Sequence, residues 1–286
     1  MVKFFPLLVI FILAGCTQKA PNILIHQKDS PANTNYDTNL PVIESDQTVN
    51  VKDDASREVT IPDSPNEKPA VGVVNPNSEG TTKAAPGKPL ASVSYPVPFA
   101  PQAPYAVWDE VHEETCEEAS MKMVQAYFAG EDISAHLMEQ SLISQVKWQE
   151  QNGYGVDLTA DEVKHILENY FNLKAEVTPN IDAISLKNYL TQGKLIIVPA
   201  AGRELGNPYF SGAGPIYHML VIRGYDQTHF ITNDPGTKRG EGYRYKYQTL
   251  INAIHDWPRH LENDQGKVSA SQILQGQKVV VIVDKP

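Results

Sequence analysis

Apolar residues recur at helical spacing from Cys116 onward, where Ala119, Met123, Ala126 and Tyr127 form one stripe. Glu117 and Glu118 follow in the first turn, where acidic side chains suit the positive end of a helix dipole. Gly130 stops the pattern, so a helix starting at Cys116 is expected. A second helical pattern runs from about Ser134 to Glu150, with Leu137, Met138, Leu142, Ile143 and Val146 on its inner face. Thr159 with Glu162 reads as a capping box opening a third helix, and Ile184 to Gln192 as a fourth, ended by Gly193. Strands are expected at Leu173 to Thr178, in the apolar run Leu195 to Ala200, at Tyr217 to Arg223, at His229 to Asp234, at Tyr243 to Tyr247 and at Lys278 to Asp284. Helices come first and largely antiparallel strands later, so the fold class is α+β.

The first third of the chain has another texture. Met1 to Cys16 is one Lys followed by an apolar run and then small residues, a secretory signal too short to span a bilayer. Residues 16–93 are rich in Pro, Asn, Asp, Ser and Thr and lack periodicity, as expected of a disordered tether. The folded domain is expected over 94–286, opened by the proline-punctuated segment Ser94 to Pro104. A net charge of −10 without a basic stripe argues against a nucleic-acid partner. No His/Cys/carboxylate spacing suits a metal, and no phosphate-binding glycine loop occurs, so no cofactor is expected.

The chain has two cysteines, Cys16 and Cys116. A thiol at a helix N-terminus after a polar approach is placed where thiolates are favoured. A small buried core residue is the plainer role for a free cysteine. A hairpin turn centred on Asp226 would put His218 directly opposite Asp234, close enough for the carboxylate to orient the imidazole. Nucleophile, base, orienting acid and oxyanion donor are the roles that cysteine catalysis needs. Cys116, His218, Asp234 and Gln102 offer one candidate for each.

Around these residues lie the motifs Val97-Pro-Phe-Ala-Pro-Gln102-Ala-Pro, Trp108-Asp, Glu114-Thr-Cys116-Glu-Glu-Ala-Ser120, Tyr217-His218-Met-Leu-Val-Ile-Arg-Gly-Tyr-Asp226 and Ile231-Thr-Asn-Asp234-Pro-Gly-Thr-Lys-Arg-Gly240. Together they resemble the bacterial proteins related to the double-glycine leader (bacteriocin-processing) peptidases, within the papain-like cysteine peptidase superfamily. The resemblance implies a papain-like fold, Cys116 as nucleophile, His218 as base, Asp234 as orienting acid and Gln102 as oxyanion donor, with the Cys116 backbone N–H as a second donor. Glu117 stands where the leader peptidases usually carry Gly, and Gln102 lies further upstream of the cysteine than in them, a pattern that fits the peptidase-like branch. Leu13-Ala14-Gly15-Cys16 resembles the lipobox of bacterial lipoproteins. That implies cleavage before Cys16, lipid on Cys16, and a cell-envelope location outside the cytoplasm, at the outer membrane if the cell has two membranes. The expected function is a lipid-anchored cysteine hydrolase of peptide or amide bonds. A catalytically silent peptide-binding module on the same fold and a cell-wall amidase are the alternatives, and a peptide or protein is the expected partner.

Overall fold

The structure is a computed structural model that describes residues 91–286. The expectations for the signal segment, the tether and Cys16 lie outside the described residues. In chain order the elements are β1 (Val93–Ser94), α1 (Cys116–Ala129), α2 (Ala135–Gln151), α3 (Ala160–Asn169), β2 (Lys174–Thr178), α4 (Ala183–Thr191), β3 (Leu195–Ala201), β4 (Tyr217–Tyr225), β5 (His229–Asn233), β6 (Tyr243–Lys246), α5 (Tyr247–Ala253), α6 (Ala270–Ile273) and β7 (Val280–Asp284). Val93 pairs with Tyr225, so the sheet begins one residue before the expected domain boundary.

One antiparallel sheet in the order β2-β7-β3-β4-β5-β6 carries the fold, and β1 adds to β4 beyond the end of β3. This is an α+β architecture. Strand β3 is buried along its whole length and β4 at all positions but Arg223, as their continuous apolar runs require of central strands. The capping signals hold at residue level. Ser134 Oγ accepts from Leu137 N–H, Thr159 and Glu162 form a reciprocal box, and Gly130 adopts φ 69° at the end of α1.

Two faces differ from expectation. On α2, Met138 and Leu142 are buried, but Leu137 and Ile143 are exposed, and Gln145 and Gln149 take the inner positions. Gln145 Nε2 donates to the buried Glu118 carbonyl oxygen at 3.1 Å, so the inward-facing amide is hydrogen-bonded to α1. On α1 the burial wraps round most of the helix, because it packs against β4, β3, α2 and α3 at once. Met121, Met123 and Val124 are fully buried, each worth about 1.5–3 kcal/mol over exposure. The same wrapping buries Glu117 and Glu118, which a dipole argument places in water.

Candidate active site

The site forms where β5 leaves the sheet. Pairing of β4 with β5 ends at Val221 opposite Asn233, so β4 continues from Tyr217 to Leu220 with that edge unpaired. The N-terminus of α1 fills the vacancy. Cys116 Sγ accepts a hydrogen bond from Met219 N–H at 3.3 Å, taking the place of a strand carbonyl. The thiol therefore lies against the peptide bond that follows His218. Cys116 and His218 line one cleft of about 820 Å³, together with Gln102, Trp108, Glu117 and Asp157.

His218 and Asp234 meet, though not in the expected register. Residues 226–229 form the turn, Asp226 N–H donates to His229 O at 2.9 Å, and a bulge at Arg223 shifts the pairing between Ile222 and Gly224. Beyond the bulge the register places Asp234 level with Leu220, two residues from His218 and on the same face. The couple is a diagonal pair. Diagonal neighbours lie about 7–8 Å apart at Cα, which an imidazole and a carboxylate can span. His218 Nε2 and Asp234 Oδ1 are 2.7 Å apart. That leaves Nδ1 without a partner among the described residues.

Asp234 is fully buried behind the ring and is held from every side. Oδ2 accepts from Tyr245 Oη at 2.6 Å and from Asn207 Nδ2 at 3.0 Å, and Oδ1 accepts from Gly236 N–H at 3.1 Å. Burial alone raises a carboxyl, but the His218 ring and these donors outweigh it and hold Asp234 below the usual carboxylate range. Two glycines make the arrangement possible. A Cβ on Gly236 would lie 2.8 Å from His218 Cε1, and one on Gly240 would lie 1.8 Å from the Asp234 carbonyl oxygen. Phe210 closes the other side of the ring, edge to face at 5.3 Å between centroids.

The model of the Peptidase C39-like family matches residues 95–260, more than half of the chain. The chain belongs to the Peptidase C39-like family. The matched span contains Gln102, Cys116, His218 and Asp234, the positions the motifs singled out. A solved structure named as a C39-like peptidase from Bacillus anthracis superimposes with a TM-score of 0.43 at 14% identity, covering 67% of this chain and 96% of that one. No curated protein matches the sequence at a significant level. The antiparallel sheet with its N-terminal helices agrees with the papain-like fold of this family.

Two of the expected roles meet a different environment. Cys116 stands at the start of α1, yet burial pushes its thiol well above the ordinary range, and the neighbouring Glu117 pushes it further. The helix dipole is outweighed because Cys116 is only 6% exposed, and its thiol faces Glu117 Oε2 at 3.0 Å. Gln102 reaches the cleft, but its amide hydrogens are engaged. Nε2 donates to His112 O at 2.8 Å and Glu113 O at 3.1 Å, while Oε1 is buried without a donor. Two adjacent carbonyls in the tight approach to α1 claim the amide, so its hydrogens are not offered to the cleft, where a donor was expected.

The approach itself is clamped by His112, which the sequence left without a role. Its Nδ1 lies 2.7 Å from Asp109 Oδ1 and its Nε2 2.9 Å from Glu139 Oε2, tying the segment to α2. Burial lowers the affinity of this imidazole for a proton, but the two carboxylates outweigh it and raise it. Asn207, Tyr245 and Asp157 also escaped the sequence. The alternation of Tyr243 to Tyr247 signalled that Tyr245 points inward; nothing in it signalled the carboxylate it meets.

Proposed function

We propose that this protein is an exported, lipid-anchored cysteine hydrolase that cleaves peptide or amide bonds through Cys116, His218 and Asp234. The observation that carries the proposal is the His218–Asp234 couple, whose His218 lines the same cleft as Cys116 and keeps one ring nitrogen without a partner among the described residues. Asp234 fixes the ring through Nε2. Nδ1 takes the thiol proton, and the sulfur attacks the scissile carbonyl. The imidazolium returns the proton to the leaving amine, and water then hydrolyses the acyl-enzyme. Cys116 N–H, at the first helical position and without a partner among the described residues, is the donor for the oxyanion. Gln102 joins it only after its amide gives up one of the two loop carbonyls. The lipid anchor rests on the Leu13-Ala14-Gly15-Cys16 motif alone.

A silent peptide-binding module is the second reading. What favours it is the buried thiol, held protonated, beside an amide that donates elsewhere. Comparing peptide release by the wild-type chain and by Cys116→Ala separates the two. The hydrolase reading expects release to vanish with the sulfur. Release that is unchanged, or absent from both, overturns it in favour of binding.

A further inference from the structure

The Cys116 thiol has a second hydrogen-bond partner besides Met219 N–H. Glu117 follows it in α1, is 1% exposed, and turns its side chain back along the helix start into the same cleft. Glu117 Oε1 accepts from Leu158 N–H at 3.3 Å, which fixes the carboxyl plane and leaves Oε2 on Cys116 Sγ at 3.0 Å. A hydrogen lies between sulfur and oxygen in this contact, and either atom can hold it.

We propose that Glu117 is a positioning residue for Cys116: as a neutral acid its O–H donates to the sulfur and supports the thiolate, and as a carboxylate it keeps the thiol proton in place. The inference rests on the hydrolase reading for its consequence and on geometry for its content. In the neutral form the thiol proton passes to His218 Nδ1; the S–H bond breaks, the N–H bond forms, and the Glu117 O–H stays intact, pointing at the new thiolate. In the ionised form the same transfer would leave two negative charges 3.0 Å apart in a buried site, where attraction and repulsion are little screened.

The surroundings decide which form is reached near neutrality. On α1, Cys116 and Glu118 flank Glu117. From the segment before α3 comes Asp157, and from the approach to α1 comes Glu114, itself raised by burial and by Glu113. From β4 come Tyr217 and His218, and Asp256 faces Tyr217. Three cations lie near the cleft: Arg259 bridges Glu162 and Glu262 and acts on Asp157, Lys267 acts on Glu114, and the exposed Lys238 lines the cleft without an ion pair among the described residues. Burial first, and then Glu118 and Asp157, raise the Glu117 carboxyl well above its ordinary range, and Glu118 and Asp157 are themselves pushed up to about 7. The carboxyl is therefore protonated well above the ordinary carboxylate range, and the nucleophile is favoured on the acid side of the pH at which Glu117 ionises.

The test is the pH profile of Cys116 alkylation by iodoacetamide in the full-length chain, read by peptide mass spectrometry so that Cys16 does not contribute. In Glu117→Gln the amide can donate to the thiolate at every pH. The ratio of the variant's rate to the wild type's is expected to rise about tenfold or more from the acid to the alkaline end of the profile, the equivalent of one unit in thiol affinity for its proton. Rates within about twofold of each other at every pH would overturn the proposal. Should Glu117→Gln not fold, wild type alone decides: a Cys116 profile that follows a single thiol ionisation, with no second inflection from Glu117, also overturns it. Alkylation needs no turnover, so this test can fail while Cys116-dependent hydrolysis stands, and the reverse.

Discussion

The two sides of the cleft bury ionisable groups in opposite ways. On the β4–β5 side, Asp234 is buried with His218, Tyr245, Asn207 and Gly236 all directed at its two oxygens, and its charge is favoured. On the α1 side, Cys116, Glu117 and Glu118 are buried beside the half-buried Asp157 with few donors, and every one of them is pushed toward its protonated form. Asp234 and the two glutamates are buried alike; their donors differ. A buried carboxylate surrounded by donors is an anchor, whereas buried carboxyls surrounded by carboxyls hold protons that neutral pH would otherwise remove.

The largest effect should come from removing the anchor. Asp234→Ala strips the partner from His218 and leaves Asn207 and Tyr245 with unpaired donors, so a loss of about 3 kcal/mol or more in urea unfolding is expected, with any hydrolysis gone. A loss below about 1 kcal/mol would mean the donors find water, and the contrast between the two sides would collapse.

Next comes pH. Glu118, Asp157 and Asp256, raised to about 7, about 7 and about 6, are carboxyls whose folded affinity for protons exceeds the unfolded one. Their contribution is complete below the ordinary carboxylate range and is lost as pH rises toward about 7. Asp234 has the opposite sign: its contribution is present above the ordinary carboxylate range and is lost as pH falls through its lowered value. Between about pH 5 and about pH 8 the raised groups lose their protons while Asp234 stays ionised, which predicts a higher melting temperature at about pH 5 than at about pH 8. Equal or reversed melting temperatures would show that the α1 side is hydrated in solution.

The smallest effect tests one donor of the anchor. Tyr245→Phe removes the hydroxyl from Asp234 Oδ2 but leaves Asn207 Nδ2 on the same oxygen, so about 1–2 kcal/mol should be lost. The acid edge of the stability curve should also move to higher pH, because a carboxylate with fewer donors takes up a proton sooner.

Much of this was legible in the chain. The helix starts at Cys116, Ser134 and Thr159, the buried strands at Leu195 and Tyr217, and the closing strand before Asp284 follow from period, capping and turn residues, which act over a few positions. The His218–Asp234 couple was legible as well, because a hairpin is local; its register was not, since the pairing shifts at a bulge between Ile222 and Gly224, where β1 joins the opposite edge of β4. The α1 side was misread for a physical reason. A dipole argument treats the first turn as solvated, and whether Glu117 and Glu118 meet water depends on β4, α2 and the segment at Asp157 packing over them. Sequence determined which residues could carry chemistry and on which element each stands. Only tertiary packing decided the proton affinity of each, because that is set by the donors and charges that distant segments bring within a few ångströms.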